Sequence, residues 1–569
     1  MLAEFFAGFR VQQRGRHGVS GGHPPLTTDR RLGAGAVLRR GASAPYRAVE
    51  ITDGEPHLVR EDLGAPGPRR RPGAGRPLLC LAHVTDLQLA DVQSPTRFEF
   101  LNRYFADPRY AEIVPVQRPQ EALTAHAVDA TLRTLSAARG SVSGAAPQLA
   151  VTTGDAIDNA QWNEMQAFLA LYDGGLVRPG SGGPGYVGVQ SLDWPDDFFW
   201  KPDGAGAAGE DLFRREFGFP HYPGLLERAM QEFPAAGLAV PWLSCFGNHE
   251  ALNQGVGTIT PGLAQALTGG RKPLRLPADF DHDRALQLFT ERPEALMAGP
   301  DVAIVADAGR RAVTRQEFVE AHFRAGSRPF GHGFSDRNRL DGTAYYVHDT
   351  PAARLIALDT ACLAGGAAGC LDHDQARWLE AQLAEVHSSY RGPDGREVRT
   401  GHDDRLVVLF SHHGTDTLTS TRGHTGHGEP PLGGAEILAL VHRFRNVVLW
   451  LNGHTHTNTI RPHRDPGDPV RGFWEVTTCA VVDWPCQSRL VEIVDDGGCL
   501  SIVCTMVDHD TPVAPRSLRT GDDLASLHRE LAANMPVIGA DSERSGTAAD
   551  RNTELRLPPP FPLDRVPAG

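Results

Sequence analysis

An α/β layered fold is predicted by the order of strand-like and helix-like segments along the chain. The apolar run LLCLAHV at 78–84 is typical of a buried strand, a helical pattern follows at about 119–138, and QLAVT at 148–152 is a second buried strand. Strands that alternate with helices indicate a layered α/β architecture. Successive strand-like runs near the end of the sequence indicate a second sheet. In such folds, ligands bind beyond the carboxyl ends of the strands.

The remaining elements are predicted from similar apolar patterns. Strands are expected at 240–246, 343–349, 354–360, 405–411, 446–453, 474–480, 488–494 and 500–507. Asp372 and Gln375 form a capping-box pattern, which predicts a helix through Val386. Further helices are expected at 162–171, 434–445 and 522–533. The alternation therefore extends over most of the chain.

Composition divides the chain into three parts. Residues 1–76 are rich in Gly, Pro and Arg, and we expect an irregular N-terminal arm. Residues 77–510 form the α/β domain, with insertions at about 173–220 and 251–340 where the strand–helix rhythm is lost. Residues 511–569 are predicted to hold a C-terminal helix and a disordered, proline-rich tail. The second insertion either covers the functional site or decorates the surface.

Charge and hydropathy argue against several function classes. The chain of 569 residues has a formal net charge of −13. A general nucleic-acid-binding protein presents a basic face, so this acidic balance argues against that class. No apolar run approaches the roughly 18 residues of a membrane span. The N-terminus lacks the apolar core of a signal peptide, so a cytoplasmic protein is expected; an exported form stays open if the true N-terminus differs. None of the eight cysteines forms a C-x-x-C pair, and buried free thiols are expected.

Five polar clusters follow predicted strand ends. They are Thr85–Gln88, Gly154–Asn159, Gly247–Glu250, Ser411–His413 and Gly453–His456. Each cluster taken alone is as typical of a turn as of a functional site. Together they supply carboxylate, amide and imidazole groups, a mixed oxygen and nitrogen ligand set that suits Mn, Fe or Zn better than Ca or Mg. The sequence therefore predicts a metal site at the strand ends.

The order of these clusters resembles the calcineurin-like metallophosphoesterase superfamily. Its pattern is D-x-H, G-D-x-x-D, G-N-H-D/E, a later H, and G-H-x-H. Here GDAID at 154–158, GNHE at 247–250, SHH at 411–413 and GHTH at 453–456 match, within a resemblance that covers about 78–505. The resemblance implies a four-layer α/β/β/α sandwich with long insertions and two divalent metal ions between strand-end loops.

The resemblance also implies a role for each matching residue. The implied metal ligands are Asp86, Gln88, Asp155, Asn248, His412, His454 and His456. Asp155 would bridge the two metals. Asp86 and His456 would belong to one metal, and Asn248, His412 and His454 to the other. His412 is preferred to His413 because the family ligand directly follows the strand.

Other residues of the clusters have implied roles away from the metals. His249 would face the substrate and assist the leaving group. Asp158, Glu250 and His413 would lie behind the ligands and orient them. Asp483 and Arg489, which flank the turn at Pro485, are interpreted as structural.

Gln88 departs from the superfamily pattern, in which most members carry His at this position. An amide oxygen is a weaker ligand than imidazole and favours a harder ion, so manganese is the preferred prediction, with Fe or Zn as alternatives. The local run DLQLAD at 86–91 is similar to the manganese-dependent ADP-ribose/CDP-alcohol diphosphatases, in which an Asp-x-Gln also occurs. That likeness implies a small phosphorylated substrate such as a nucleotide derivative.

The predicted function is binuclear metal-dependent hydrolysis of a phosphodiester, phosphomonoester or diphosphate. The resemblance implies attack by a metal-bridging hydroxide, with no covalent protein intermediate. Two alternatives stay open. The first is a non-catalytic scaffold with a weakened first metal site, for which Gln88 is the support. The second is a nuclease of the same superfamily, against which the net negative charge argues.

Overall fold

A computed structural model describes residues 23–64, 75–183, 185–206, 209–423 and 429–567. The strands in chain order are β1 (Arg30–Arg40), β2 (Pro45–Asp53), β3 (Leu58–Arg60), β4 (Arg76–Val84), β5 (Leu149–Thr152), β6 (Gly175–Val177), β7 (Phe233–Ala235), β8 (Trp242–Leu243), β9 (Arg271–Pro273), β10 (Asp301–Ala303), β11 (Tyr346–Asp349), β12 (Ala353–Leu358), β13 (Ser389–Arg391), β14 (Glu397–Arg399), β15 (Leu406–Ser411), β16 (Val447–Asn452), β17 (Thr459–Asp465), β18 (Asp468–Thr477), β19 (Gln487–Asp495), β20 (Leu500–Asp508) and β21 (Thr553–Leu557).

The α-helices in chain order are α1 (Thr124–Ala137), α2 (Trp162–Asp173), α3 (Leu212–Phe217), α4 (Leu225–Ala229), α5 (Asn248–Ala251), α6 (Pro261–Leu267), α7 (Ala285–Glu291), α8 (Arg315–Ala321), α9 (Asp336–Asp341), α10 (His373–Ala384), α11 (Gly434–Val441) and α12 (Gly521–Ala533). The side chain of Asp372 caps α10 by accepting a hydrogen bond from the backbone N–H of Gln375, as its sequence pattern predicts.

Two mixed sheets form the centre of the molecule. A seven-stranded sheet has the order β3-β21-β20-β19-β4-β5-β8, in which β4, β5 and β8 run parallel. A six-stranded sheet has the order β11-β12-β15-β16-β18-β17, in which β12, β15, β16 and β18 run parallel. One buried hydrophobic cluster joins Leu81 and Leu490 of the first sheet to Phe410 and Leu449 of the second. The sheets therefore pack face to face.

Helices cover the outer faces of the two sheets. Leu379 of α10 and Ile437 of α11 pack against Ile356 and Leu409 of the six-stranded sheet in a separate hydrophobic cluster. Helices α1 and α2 pack on the seven-stranded sheet. The predicted α/β/β/α order of layers is confirmed.

The ends of the chain are more ordered than the sequence predicts. Within the expected irregular arm, residues 30–60 contain β1 and β2, which form a hairpin, and β3. The prediction of an irregular arm is wrong there, while residues 1–22 and 65–74 lie outside the described residues. Within the expected disordered tail, β21 pairs with β20 and with β3, so that prediction is wrong as well.

Two further predictions from the sequence concern the state of the cysteines and membrane-spanning segments. All eight cysteines are buried, and none of them is assigned to a disulfide, as expected. None of the helices in the described part of the chain combines the length and apolar composition that crossing a bilayer requires.

Leu555 of β21 tests whether the C-terminal segment belongs to the core. Its side chain is fully buried in the cluster between the layers, so Leu555→Ala should lower the free energy of unfolding by about 2–5 kcal/mol. Leu340→Ala is the control, because Leu340 is 83% exposed and its truncation should change stability by about 0.5 kcal/mol or less. Urea unfolding of both variants measures the difference. Equal stability would show that β21 is not part of the core.

Candidate metal centre

The five predicted clusters meet at one end of the two sheets. Strands β4, β5 and β8 end there in the first sheet, and β15 and β16 end there in the second. The loops that follow these strands carry the predicted ligands: Asp86, Gln88, Asp155, Asn248, His412, His454 and His456. Five of them line the same cleft: Gln88, Asp155, Asn248, His454 and His456. The other two contact a lining residue, Asp86 through His456 and His412 through Asp155.

Two motif glycines let the loops approach each other this closely. A Cβ on Gly247 would lie 2.2 Å from Oδ1 of Asp155, and a Cβ on Gly453 would lie 2.3 Å from Oδ2 of Asp86. Both distances are far below van der Waals contact. The glycines of GNHE and GHTH are therefore required by the packing of one cluster against another.

Asp155 lies at the middle of the cluster. Its Oδ2 is 3.0 Å from Nε2 of His412, and its Oδ1 accepts a hydrogen bond of 2.9 Å from the backbone N–H of His249. Nδ1 of His454 lies 3.2 Å from Nε2 of His412. Ligand atoms of Asp86, Asp155 and His412 all lie within 4.8 Å of one another, close enough to share a metal ion. This placement suits the bridging position expected for Asp155.

Asp86, Gln88 and His456 form the other side of the cluster. Nε2 of His456 lies 3.2 Å from Oδ1 of Asp86 and 3.4 Å from Nε2 of Gln88. The Gln88 amide also lies 3.1 Å from Nε2 of His249. Gln88 therefore stands between a predicted metal ligand and the residue expected to face the substrate.

Three buried oxygens of the cluster are placed to bind cations. Oδ1 of Asp86, Oε1 of Gln88 and Oδ1 of Asn248 are buried, and each lacks a hydrogen-bond partner within the described residues. Buried polar atoms are nearly always satisfied, so unsatisfied ones call for an explanation. All three belong to predicted ligands. A divalent cation would satisfy them, and the carboxylate, amide and imidazole donors around them fit such an ion.

The backbone at the cluster is strained. Asp86, Gln88, Asp155, His454 and His456 all have positive φ, between 42° and 69°. This left-handed region is uncommon for residues other than glycine, and such strain concentrates at functional sites. Five of the predicted ligands are thus held in conformations that only the surrounding structure enforces.

The adjacent residues His412 and His413 differ in whether a ring nitrogen is available to bind a metal ion. Nδ1 of His412 contacts the carbonyl of Thr153 at 2.8 Å, which leaves Nε2 directed at Asp155. Both ring nitrogens of His413 are engaged, with the Thr360 hydroxyl at 2.9 Å and the Ala367 carbonyl at 3.0 Å. A ligand atom of His413 also lies within 4.8 Å of His412 and His454. We favour His412 as the ligand, because His413 would first have to break a buried hydrogen bond.

The pKa values of the histidines reflect the carboxylates around them. Burial alone would lower the pKa of His412, but the charge of Asp155 outweighs it and raises the pKa to about 9. Burial and the nearby His412 lower the pKa of His454 to about 3, so His454 is neutral. Protons and metal ions would therefore compete at His412.

His249 lies at the rim of the cluster with one nitrogen facing the cleft. Its Nδ1 is 2.9 Å from the carbonyl oxygen of Asp158 and 3.3 Å from the Oδ1 atom of that residue. Its Nε2 is 3.7 Å from Oδ2 of Asp155. Burial would lower the pKa of His249, but Asp155 and Asp158 raise it to about 9. His249 can therefore hold a proton beside the cluster.

Glu250 shapes the loops behind the ligands. Its carboxylate accepts hydrogen bonds from the backbone N–H groups of Asp155 at 2.8 Å, Ala156 at 2.6 Å and Gly247 at 2.7 Å. It thus ties the loop after β5 to the loop after β8. This contact fits the supporting position expected for Glu250.

Asp483 is a site residue that the sequence interpretation missed. Its Oδ2 lies 2.6 Å from Nδ1 of His456, which leaves Nε2 of that ring directed at Asp86. A carboxylate in this position fixes the orientation of a ligand histidine. The interpretation of Asp483 as structural is therefore incomplete. Its partner Arg118 is 365 residues away along the chain, so no local sequence pattern signalled this role.

A chain of buried ion pairs connects the two sides of the cluster. Arg118 bonds Asp483 at 2.6 Å and lies 3.8 Å from Glu121. Arg97 bonds Glu121 at 2.6 Å and Asp158 at 3.1 Å. We name these five side chains the ion-pair chain. It runs from the partner of His456 to the partner of His249.

The cluster opens into a cleft of about 160 Å³. Its other lining includes an apolar wall from residues 113–116, the start of the second insertion at Gln254 and Val256, and Arg544 from the C-terminal segment. The start of the 251–340 insertion therefore lies at the site, as its sequence position implies. Whether the insertion covers the cleft stays a prediction.

Comparison with curated proteins gives one partial relative. Over 124 residues the chain is 30% identical to glycerophosphodiester phosphodiesterase GpdQ of Enterobacter lignolyticus (strain SCF1). The match covers 21% of this chain and 36% of the relative, so the chain spans about a third of that relative's length. Together with the assembled motifs, it confirms the resemblance to the calcineurin-like metallophosphoesterases. The narrower ADP-ribose/CDP-alcohol branch stays a prediction, and no family model matches the chain.

Two solved structures show only a distant likeness. A dimetal phosphatase from Danio rerio aligns with a TM-score of 0.31 at 11% identity, covering 76% of this chain and all of that one. The purple acid phosphatase PPD1 of yellow lupin aligns with a TM-score of 0.30 at 10% identity, covering 77% and 52%. Scores this low decide neither fold nor activity.

His454 and His456 test the metal-binding prediction. We expect about two divalent ions per chain after reconstitution, and each of His454→Ala and His456→Ala should lose metal, because each variant removes a nitrogen ligand. His402→Ala is the control, since that histidine is exposed and does not line the cleft at the metal centre. Elemental analysis of the purified variants measures the content. Full metal content in both site variants would contradict the assignment.

Proposed function

We propose that the protein is a metal-dependent phosphoric ester hydrolase with two divalent cations at its centre. The observation that carries this proposal is the set of three buried oxygens, on Asp86, Gln88 and Asn248, that have no hydrogen-bond partner among the described residues. The partial relative supports it, because that protein is named as a phosphodiesterase.

The residues divide between two neighbouring cation positions. Asp86, Gln88 and His456 would hold one ion. Asn248, His412 and His454 would hold the other, with Asp155 between the two positions. When bound, the cations would supply an activated water and offset negative charge on the phosphoryl oxygens.

His249 supplies the proton that the leaving group needs. The carbonyl of Asp158 accepts a hydrogen bond from Nδ1–H, and Nε2, which lies 3.1 Å from the Gln88 amide nitrogen at the cleft, would donate its proton to the bound substrate. The side chain is 14% exposed, so a substrate in the cleft can reach it. A donor placed at the leaving oxygen offsets charge as the bond breaks.

The substrate proposed is a small phosphodiester or diphosphate. Gln88 provides a neutral oxygen where most members of the superfamily carry imidazole, so its ion should keep more Lewis acidity and bind a second phosphate oxygen. The scaffold alternative predicts no metal-dependent turnover of bis(4-nitrophenyl) phosphate. The nuclease alternative predicts degradation of DNA under the same conditions.

His249→Ala tests the proton donor. We expect kcat to fall by about 10²–10⁴-fold, the usual contribution of general acid catalysis, while metal content stays unchanged. His373→Ala, at a half-exposed histidine on α10, should leave kcat unchanged. Turnover of bis(4-nitrophenyl) phosphate measures both variants. Full activity in His249→Ala would rule out this role.

Gln88 tests the choice of metal and substrate. Mn²⁺ should support more activity than Zn²⁺, and bis(4-nitrophenyl) phosphate and ADP-ribose should be cleaved faster than 4-nitrophenyl phosphate, because an amide ligand favours an oxygen-tolerant, more open ion. Gln88→His should shift the preference towards Zn²⁺. The values of kcat/KM for each metal and substrate give the answer. Preference for the monoester with Zn²⁺ in the unmodified protein would contradict this reading.

A further inference from the structure

The cleft extends past the predicted ligands to a C-terminal turn at Glu543–Ser545, which carries Arg544. This turn is anchored to the loop that follows His456. The backbone N–H of Asn458 donates to the carbonyl of Arg544 at 3.0 Å, and the side-chain amide of Asn458 lies 3.4 Å from the carbonyl of Ser545. Arg544 is therefore held at the site by main-chain contacts that do not involve its own side chain.

Two arginines contact Asp483, and they differ in what they have left to bind. Arg118 uses Nε at 2.6 Å and Nη2 at 3.2 Å on Asp483, its Nη1 lies 3.8 Å from Glu121, and its side chain is 7% exposed. Arg544 gives only Nη1 to Asp483, at 2.9 Å, and its side chain is 18% exposed. Its other donors have no partner among the described residues. The guanidinium of Arg118 is thus engaged within the ion-pair chain, whereas Arg544 has N–H donors available for a ligand.

The guanidinium of Arg544 lines the cleft and is linked to a predicted metal ligand through Asp483. Asp483 Oδ2 accepts from Arg544 and also lies 2.6 Å from Nδ1 of His456, so one carboxylate oxygen joins the guanidinium to a predicted ligand. A guanidinium presents its N–H groups in a planar fork that matches the oxygens of a phosphate. The apolar wall at 113–116 lies in the same cleft and suits the carbon part of a substrate. Glu112 is the exposed acidic side chain of this lining.

We infer that Arg544 binds the second phosphoryl group of a diphosphate substrate while the first lies at the metal centre. This inference rests on the proposed function and narrows it. It selects diphosphate derivatives over simple diesters, because a diester has no second phosphoryl group to reach the guanidinium. Arg544 would act in recognition of the substrate and not in holding the metals.

The test compares binding of two non-reacting anions to the Mn²⁺-loaded protein by calorimetry. Methylenediphosphonate should bind the unmodified protein about 10–100-fold more tightly than inorganic phosphate does, the size of a charge-assisted arginine contact. Arg544→Gln should lose that preference, keep its affinity for phosphate and keep its metal content. Arg544→Lys, which can retain the contact with Asp483, should keep part of the preference.

Two control variants test whether diphosphonate binding depends on Arg544 itself or only on the overall charge of the protein. Glu112→Gln changes an acidic side chain of the same cleft and should not weaken diphosphonate binding. Arg461→Gln removes a positive charge that pairs with Asp416 and does not line the cleft, and it should behave like the unmodified protein.

Two results would overturn the inference: equal affinities for the two anions in the unmodified protein, or an undiminished preference in Arg544→Gln. Failure of the proposed function looks different. Absence of Mn²⁺-dependent turnover of bis(4-nitrophenyl) phosphate would contradict the hydrolase, whereas an Arg544-dependent preference for the diphosphonate would still support the subsite.

Discussion

The ion-pair chain is the constraint on which the site depends. It consists of five buried side chains: Asp158, Arg97, Glu121, Arg118 and Asp483. Its ends orient His249 and His456, which belong to loops of the two different sheets and are separated by about 200 residues of sequence. Buried charges are unfavourable unless paired, and losing one partner costs roughly 3–5 kcal/mol. The chain therefore holds both histidines in a fixed relation, since neither end can move without exposing an unpaired charge.

Several features of the site are unfavourable for the stability of the folded protein. Asp86 and Asp155 are buried side by side, three ligand oxygens have no hydrogen-bond partner in the described part of the chain, and five ligand residues adopt left-handed backbone conformations. Each of these features is unfavourable for the protein alone. The framework that tolerates them is the large core between the two sheets, from which the parallel strands deliver their loops to one end. Bound cations would relieve the same features, which explains why the unfavourable groups are gathered in one place.

The sequence predicts what is local and misses what joins distant segments. The ligand clusters are short motifs at strand ends, so Asp155, Asn248, His412, His454 and His456 can be placed from pattern alone. Asp483 and Arg544 act through contacts with residues that are distant along the chain, Arg118 being 365 residues from Asp483, and no local pattern marks them. The pairing of β3 with β21 also joins segments that are distant along the chain, so no local pattern predicts it. Low-complexity composition at both ends then suggests disorder where the structure has strands.

The most direct test of the central claim is anomalous diffraction from crystals of the protein grown with Mn²⁺. Two manganese peaks are predicted, with Asp155 in contact with both. The free oxygens of Asp86, Gln88 and Asn248 should each face one of the peaks, and Arg544 should contact neither. A map without manganese at the cleft, or with those three oxygens turned to protein hydrogen-bond donors, would contradict the account.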